Sequence, residues 1–100
     1  MEVKIGLTKD ILPGSMKGIE ANGKRLLVVN LNGEFYAIGN TCTHSGCSLS
    51  DGTLDRDNVE CPCHGSTFNI KTGVVVRGPA QWPERSYQVR VDADQILVNL

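Results

Sequence analysis

The 100-residue chain has few aromatic residues, no surplus of charge and no long hydrophobic run. Aromatic side chains make up 5% of the residues, and 10 lysines and arginines face 11 acidic residues, a formal net charge of -1. Nucleic-acid binding usually requires a clustered basic face, so this balance argues against a nucleic-acid partner. Apolar runs such as Leu26 to Val29 are far shorter than the ~20 residues that cross a bilayer, so no membrane span is predicted.

The amino terminus lacks the apolar segment of a signal peptide, since it starts with Met1, Glu2, Val3 and Lys4. This absence predicts a cytoplasmic location. The length suits one globular domain and is too short for a two-domain enzyme. We therefore expect a single domain over residues 1–100 that works as a monomer.

Helical periodicity is also missing, whereas turn signals are frequent. Asn22-Gly23, Asn32-Gly33 and Asp51-Gly52 fall between short β-prone runs, and such pairs favour hairpin turns because both central residues need a positive φ. The pattern predicts an all-β fold, a small antiparallel sandwich or barrel. The predicted strands cover residues 3–7, 18–21, 24–31, 34–39, 58–60, 66–70, 74–77, 87–91 and 95–99.

Two segments allow more detailed predictions. Apolar and polar residues alternate over residues 87–91, which predicts one buried face, and Ile96 and Val98 continue that face beyond a turn at Ala93-Asp94. Residues 8–12 are predicted to form one helical turn capped by Thr8.

All four cysteines and both histidines lie between positions 42 and 64, in two short segments. The segments are Cys42-Thr43-His44-Ser45-Gly46-Cys47 and Cys61-Pro62-Cys63-His64-Gly65-Ser66. Thiolates and imidazoles at these spacings, on two loops of a β scaffold, are what a four-coordinate metal site requires. Six candidate ligands exceed the four that a tetrahedral zinc needs.

The two segments resemble the two boxes of the Rieske iron-sulfur family, in which C-x-H-x-G-C and C-P-C-H-G-S hold a 2Fe-2S cluster. The resemblance covers the chain from about residue 34 to its end and implies a Rieske-type fold with a cluster-binding subdomain at about residues 40–80. It implies that two cysteines bind one iron and two histidines the other: Cys42, Cys61, His44 and His64. It also implies a disulfide between Cys47 and Cys63 that bridges the two loops.

The residues around the expected ligands predict the reduction potential. Gly46 and Gly65 have no side chain, so backbone N–H groups can approach the cluster and raise its potential. In the quinol-oxidising members of the family, a serine and then a tyrosine after the second histidine donate hydroxyl hydrogen bonds to the cluster. Ser66 keeps the first donor, whereas Phe68 stands in place of the tyrosine. We therefore predict an intermediate potential within the Rieske range.

The resemblance implies electron transfer and no catalytic residue. We expect a soluble Rieske-type ferredoxin that passes one electron between a reductase and an acceptor such as a terminal oxygenase. The alternative is a Rieske subunit or soluble domain of an oxidoreductase complex, either quinol-oxidising or of the nitrite-reductase type. Cys47, Cys63 and Ser66 favour the quinol-oxidising version, while Phe68 opposes it.

Two further alternatives concern the metal that these residues hold. An oxygenase needs a mononuclear iron bound by two histidines and a carboxylate, and both histidines of this chain are already assigned to the cluster. A structural zinc could use the same four ligands. A Cys47–Cys63 disulfide argues for an oxidising compartment or a thermophilic source. Trp82, between Pro79 and Pro83, is expected near the cluster, where it shields the cluster, docks a partner or packs in its loop.

Overall fold

The computed structural model describes residues 1–100, which form eleven β-strands, two short 3₁₀ turns and no α-helix. No helix in it is long and apolar enough to cross a membrane. The strands are β1 (Glu2–Leu7), β2 (Met16–Ala21), β3 (Lys24–Leu31), β4 (Glu34–Gly39), β5 (Thr53–Asp55), β6 (Asn58–Glu60), β7 (Thr67–Asn69), β8 (Val75–Arg77), β9 (Ser86–Tyr87), β10 (Val89–Asp92) and β11 (Gln95–Asn99). The predicted all-β fold is confirmed.

The strands pair into three antiparallel sheets. The first has the order β1-β11-β10 and the second the order β2-β3-β4-β9, and together they form the base of the molecule. The third sheet, β5-β6-β7-β8, follows the first cysteine-containing segment in the chain, and the second segment connects its strands β6 and β7. The metal-site residues therefore come from the loops at the start and in the middle of this third sheet.

Strand β3 is buried on both of its faces. Leu27 and Val29 point into a core that also contains residues of the third sheet, which we call the ligand-side core. Leu26 and Val28 point to the opposite side, into a core shared with the first sheet, which we call the base core. Because side chains alternate between faces along a strand, a strand between two cores is apolar at every position. This explains why residues 26–29 are all apolar, and all four of their side chains are fully buried.

The Asn-Gly signals are confirmed as hairpin turns. Asn22-Gly23 joins β2 to β3 and Asn32-Gly33 joins β3 to β4, with positive φ at all four residues. The Asp51-Gly52 prediction is wrong, because Asp51 ends a 3₁₀ turn and Gly52 has φ -90°. A Cβ at Gly52 would collide with the Glu60 carbonyl, so glycine is required there for close packing between strands.

Three strand predictions differ from the structure. The segment 87–91 is not one strand, because β9 pairs with β4 in the second sheet and β10 pairs with β11 in the first. Since β10 is an edge strand, Val91 is 43% exposed, whereas Ile96 and Val98 on β11 are fully buried. Strand β2 begins at Met16, two residues before the predicted start, and β5 was not predicted.

The predicted helical turn is a 3₁₀ turn, Thr8–Asp10, and its cap differs from the prediction. Leu7 precedes the first helical residue, so Thr8 is not the cap. The turn is held by the Leu7 N–H, which donates to Asp10 Oδ2 at 3.1 Å. A carboxylate three residues downstream thus accepts from the backbone amide of the residue that precedes the turn.

Candidate metal centre

The first ligand loop, residues 42–47, is closed by two backbone hydrogen bonds. The Cys42 N–H donates to the Cys47 carbonyl at 2.8 Å, and the Gly46 N–H donates to the Cys42 carbonyl at 2.9 Å. Gly46 has φ +78°, a conformation that residues with a side chain rarely adopt. The loop therefore returns tightly on itself and places its first and last cysteines near each other.

The second ligand loop, residues 61–66, has the same construction. The Cys61 N–H donates to the Ser66 carbonyl at 2.7 Å, and the Gly65 N–H donates to the Cys61 carbonyl at 3.2 Å. Gly65 has φ +79°. Each loop presents a cysteine at its first position and a histidine two or three positions later, as a site with paired ligands requires.

Cys42 and Cys61, the first residues of the two loops, are both free thiols and both only 2% exposed. They lie in the ligand-side core. Burial raises the pKa of the Cys42 thiol, but hydrogen bonds from Ser45, the His44 N–H and Cys61 outweigh it and hold that pKa below its usual value. The Ser45 hydroxyl is also 3.4 Å from the Cys61 sulfur. Because the thiolate is the form that binds metal, this environment favours metal ligation.

The two histidines lie on the solvent side of the loops. His44 and His64 are both exposed, with ring centroids 5.4 Å apart and the rings 78° from parallel. The structure therefore brings all four expected ligands to one end of the molecule, with the thiols buried and the imidazoles exposed. This donor set fits a 2Fe-2S cluster with two thiolate and two imidazole ligands.

The remaining two cysteines form the expected disulfide. Cys47 and Cys63 are bonded to each other, with their Cα atoms 6.5 Å apart. The bond joins the end of the first ligand loop to the middle of the second. It also leaves Cys42 and Cys61 as the only free cysteines, so the structure separates the four residues into a bonded pair and a pair of candidate ligands.

Arg25 holds the first ligand loop against β3, a role that the sequence did not indicate. Its guanidinium donates to Ser48 Oγ at 2.6 Å and to Thr41 Oγ1 at 3.4 Å, the residues on either side of the loop. These two residues also form an isolated antiparallel bridge. The ends of the loop are thus fixed by one side chain from a neighbouring strand, and no local pattern marks an arginine for such contacts.

A segment that we call the cover segment, residues 78–85, lies across both ligand loops. The Ala80 N–H donates to Ser66 Oγ at 3.0 Å, and Thr43 Oγ1 donates to the Trp82 carbonyl at 2.6 Å. The Trp82 side chain is 70% exposed, so it does not pack within its own loop. Trp82 and His44 line one surface depression. Of the three roles considered for this tryptophan, loop packing is therefore excluded.

Ser66 and Phe68 are both fully buried beside the second ligand loop. Ser66 Oγ accepts the Ala80 N–H, which leaves its own hydroxyl hydrogen free to donate. The Phe68 ring lies in the same core as Cys61 and has no donor.

We expect Ser66→Ala to lower the midpoint potential and Phe68→Tyr to raise it, because hydroxyl hydrogen bonds stabilise the added electron of the reduced site. A buried tyrosine hydroxyl without a partner would cost about 1–3 kcal/mol of stability, so thermal unfolding is measured alongside. Redox titration of both variants provides the test, with the exposed Ser86→Ala as control. Midpoints equal to that of the unsubstituted protein in both variants would contradict this explanation.

Glu84, on the cover segment, is a buried carboxylate that the sequence did not single out. It is 7% exposed, and its Oε2 atom has no hydrogen-bond partner. Burial raises its pKa to about 7, and the Thr43 N–H partly opposes that rise. A glutamate beside Pro83 and Arg85 has the pattern of a solvated loop residue, so no sequence signal marks its burial.

The raised pKa of Glu84 predicts a stability that falls with rising pH. Between its ordinary value of 4.5 and about 7 the folded state holds a proton that the unfolded state has released, so stability decreases across that window. The loss amounts to at most about 3 kcal/mol and is constant at higher pH. Glu84→Gln should match the unsubstituted protein in thermal midpoint at pH 4.5 and exceed it at pH 8.

The control for this comparison is Glu20→Gln, at an exposed position on β2. The difference in thermal midpoint between Glu20→Gln and the unsubstituted protein should be the same at both pH values. An advantage of Glu84→Gln that did not change between pH 4.5 and pH 8 would show that the carboxyl does not titrate in this range.

Comparisons with known proteins agree with this geometry. A sequence model of the Rieske 2Fe-2S domain matches residues 1–90. The chain is 39% identical over 97 residues to the ferredoxin component of biphenyl 2,3-dioxygenase from Rhodococcus jostii (strain RHA1), covering 97% of this chain and 91% of that protein. It is also 36% identical over 98 residues to apoptosis-inducing factor 3 of Homo sapiens, of which it spans only 16%.

Solved structures show the same fold. The ferredoxin of carbazole 1,9a-dioxygenase from Nocardioides aromaticivorans IC177 superposes with a TM-score of 0.93 at 31% identity, over 98% of this chain and 96% of that chain. A chain in the complex of reduced oxygenase and oxidized ferredoxin of carbazole 1,9a-dioxygenase gives a TM-score of 0.91 at 37% identity, over 97% of this chain and 91% of that chain. The predicted resemblance is confirmed.

Proposed function

The chain belongs to the Rieske 2Fe-2S domain family, and from this membership we propose that it is a ferredoxin that carries one electron from a reductase to a terminal oxygenase. The observation that supports this most directly is the pair of free buried thiols next to a pair of exposed imidazoles. A bound 2Fe-2S cluster supplies a one-electron couple, at about -150 to +300 mV for Rieske centres.

We propose Cys42, Cys61, His44 and His64 as the four ligands of that cluster. The two cysteines lie on the protein side, in the ligand-side core, and Cys47 of the disulfide packs against that core. The histidines lie on the solvent side, so a partner protein can approach the imidazole edges directly. Gly46 and Gly65 lie in the two ligand loops and have a positive φ, a conformation that lets each loop turn back on itself.

The proposed docking surface is the same end of the molecule. His44 and the exposed Trp82 line one depression there, together with Thr43, Pro79 and Gln81. A solved complex of a ferredoxin 37% identical to this chain with its oxygenase supports such a partner. Interface energies are often concentrated in aromatic side chains, and Trp82 is the aromatic residue at this surface.

The protein is an electron carrier and not the catalyst of the system. Its close relatives are ferredoxin components. Both of its histidines belong to the proposed cluster site, so a mononuclear iron held by two histidines and a carboxylate has no ligands left. We propose one domain over residues 1–100, with the cluster-binding part at about residues 40–80, and a cytoplasmic location.

One observation favours a second candidate, a Rieske subunit that oxidises a quinol. The disulfide between Cys47 and Cys63 is typical of those members of the family and is unusual in a reducing cytoplasm. The two candidates require different midpoint potentials of the cluster. A quinol is a weaker reductant than the reductase of an oxygenase system, so a cluster that accepts electrons from a quinol must have a higher midpoint potential.

A redox titration followed by visible absorption and circular dichroism tests both candidates. For the oxygenase ferredoxin we expect visible bands that bleach in one one-electron step at about -100 mV or below, in the lower part of the Rieske range. Bleaching well above zero would support quinol oxidation instead. A colourless protein that contains zinc would contradict an electron-transfer function altogether.

A further inference from the structure

A hydroxyl from the first ligand loop reaches a proposed ligand of the second loop. Ser45 Oγ lies 3.4 Å from the Cys61 sulfur, and the two residues are 16 positions apart in the chain. A cysteine sulfur accepts hydrogen bonds, and these are longer than bonds to oxygen because the sulfur atom is larger. The contact therefore joins the two loops directly at a buried thiol of the candidate metal centre.

Ser45 is held in this orientation from within its own loop. Its Oγ accepts the Cys47 N–H at 3.4 Å. Cys47 is in turn bonded to Cys63, two positions after Cys61, so the two ends of the contact are also linked covalently. The serine is partly buried, although His44 beside it is exposed. Its side chain therefore lies against the second loop and not in solvent.

The direction of this hydrogen bond is fixed once the cysteine binds metal. Without metal, either the hydroxyl or the thiol can donate. A thiolate ligand has no hydrogen, so the Ser45 hydroxyl is then the donor and the Cys61 sulfur the acceptor. The contact with the Cys47 N–H agrees with this direction, because it uses a lone pair of Ser45 Oγ and leaves the hydroxyl hydrogen available.

The family pattern does not specify a serine at this position. In C-x-H-x-G-C the residue between the histidine and the glycine is the second x, and Ser45 occupies it. The donor is therefore a property of this chain and not of the motif. Its contribution matters here because Phe68, which packs in the same core as Cys61, has no hydroxyl to offer.

We propose that Ser45 is a positioning residue of the metal centre, whose hydroxyl donates across the loops to the Cys61 thiolate and raises the midpoint potential. This inference rests on the proposed function, since it requires Cys61 to bind the cluster. Reduction adds one negative charge to the cluster and its thiolates, so the hydrogen bond is stronger in the reduced form. The reduced form is then stabilised more than the oxidised form, and the potential rises.

The test compares three variants at one position in the cluster-containing protein. Ser45→Thr keeps the hydroxyl, whereas Ser45→Val has the shape of threonine without it. Ser45→Ala removes the hydroxyl and adds no atoms, so the comparison does not depend on whether valine is accommodated. The control is Ser86→Ala, which makes the same change at an exposed position on β9. Iron per chain is measured for each protein, so that only loaded protein is compared.

The first readout is the midpoint potential. The equilibrium constant for reduction should fall by about three- to tenfold in Ser45→Ala and Ser45→Val, the change that one hydrogen bond to a charged group supports. A tenfold change is about 59 mV for a one-electron couple. Ser45→Thr and Ser86→Ala should keep the midpoint of the unsubstituted protein.

The second readout is the resonance Raman spectrum of the iron–cysteine stretching modes in H₂O and in D₂O. A deuterated hydroxyl bonded to the sulfur shifts these bands. The shift should be smaller in Ser45→Ala and Ser45→Val than in the unsubstituted protein and should return in Ser45→Thr. Looser packing of the first ligand loop would not produce this isotope-dependent difference.

The outcomes separate this inference from the function on which it rests. A cluster-containing protein whose Ser45→Ala and Ser45→Val variants keep the original midpoint overturns the role of Ser45 and leaves the ferredoxin assignment intact. A lowered midpoint with an undiminished deuterium shift also overturns it, as does a Ser45→Thr variant altered as much as Ser45→Val. A protein that binds no cluster before any substitution overturns both.

Discussion

Replacement of Cys61 by alanine is expected to yield a protein that lacks iron and visible absorption, whereas replacement of Cys63 by alanine is expected to retain both. The two residues are close in the second ligand loop, yet their surroundings differ. Cys61 is a free thiol, 2% exposed, in contact with the Ser45 hydroxyl. Cys63 is exposed and bonded to Cys47. A cluster that loses one of its thiolate ligands is not retained, while a thiol outside the ligand set is dispensable for binding.

The measurement is iron and sulfide content per chain, together with the visible spectrum of freshly purified protein. Cys42→Ala should behave like the Cys61 variant, and Cys47→Ala like the Cys63 variant. Equal loss of iron in all four variants would contradict the division of the cysteines. Iron retained in the Cys61 variant but lost in the Cys63 variant would reverse the ligand assignment.

Removal of the disulfide by the double substitution of Cys47 and Cys63 with serine is expected to lower stability by about 3 kcal/mol. The bond closes a loop with a sequence separation of 16, and an open chain gains that conformational entropy when it unfolds. For a domain of this size the loss corresponds to a fall in thermal midpoint of roughly 12–24 °C. The two ligand loops also lose their covalent connection, so the variant should release its cluster at a lower temperature.

Reductant provides the matched control for this experiment. Treatment with dithiothreitol should lower the midpoint of the unsubstituted protein towards that of the double variant and leave the double variant unchanged. A double variant as stable as the parent would show that the disulfide does not stabilise the fold, whereas one that is further destabilised by reductant would show that the reductant also acts elsewhere. Differential scanning fluorimetry is sensitive enough for both comparisons.

The parts of the fold that depend on neighbouring residues could be predicted from the sequence. The parts that depend on pairing between distant strands could not. The Asn-Gly turns were predicted because positive φ at both positions is a property of those residues, and the structure shows it at Asn22 and Asn32. The division of residues 87–91 between two sheets was not predicted, because its cause is pairing of β9 with β4 and of β10 with β11. The alternation of side chains is the same in one strand as in two consecutive ones.

The residues of the candidate site show the same contrast between local and long-range causes. The cysteines and histidines were identified because ligands of one site cluster in two short segments, and the disulfide followed from the family resemblance. Arg25 and Glu84 were not identified, because the acceptors of Arg25 are 16 and 23 positions away and the burial of Glu84 depends on Gly39 and Gly73. A charged residue whose partners lie in other elements looks like an ordinary surface residue in the sequence.

The double burial of β3 limits how this protein can be taken apart or recombined. Leu27 and Val29 complete the core beneath the metal site, while Leu26 and Val28 complete the core of the base. A metal-binding unit excised as residues 40–80 would therefore leave behind three of the ten buried residues of its own core and expose an apolar face on the remainder. A graft onto a foreign scaffold has to transfer the alternate positions of this strand as well as the two loops, and a chimera joined at residue 40 would be prone to aggregation.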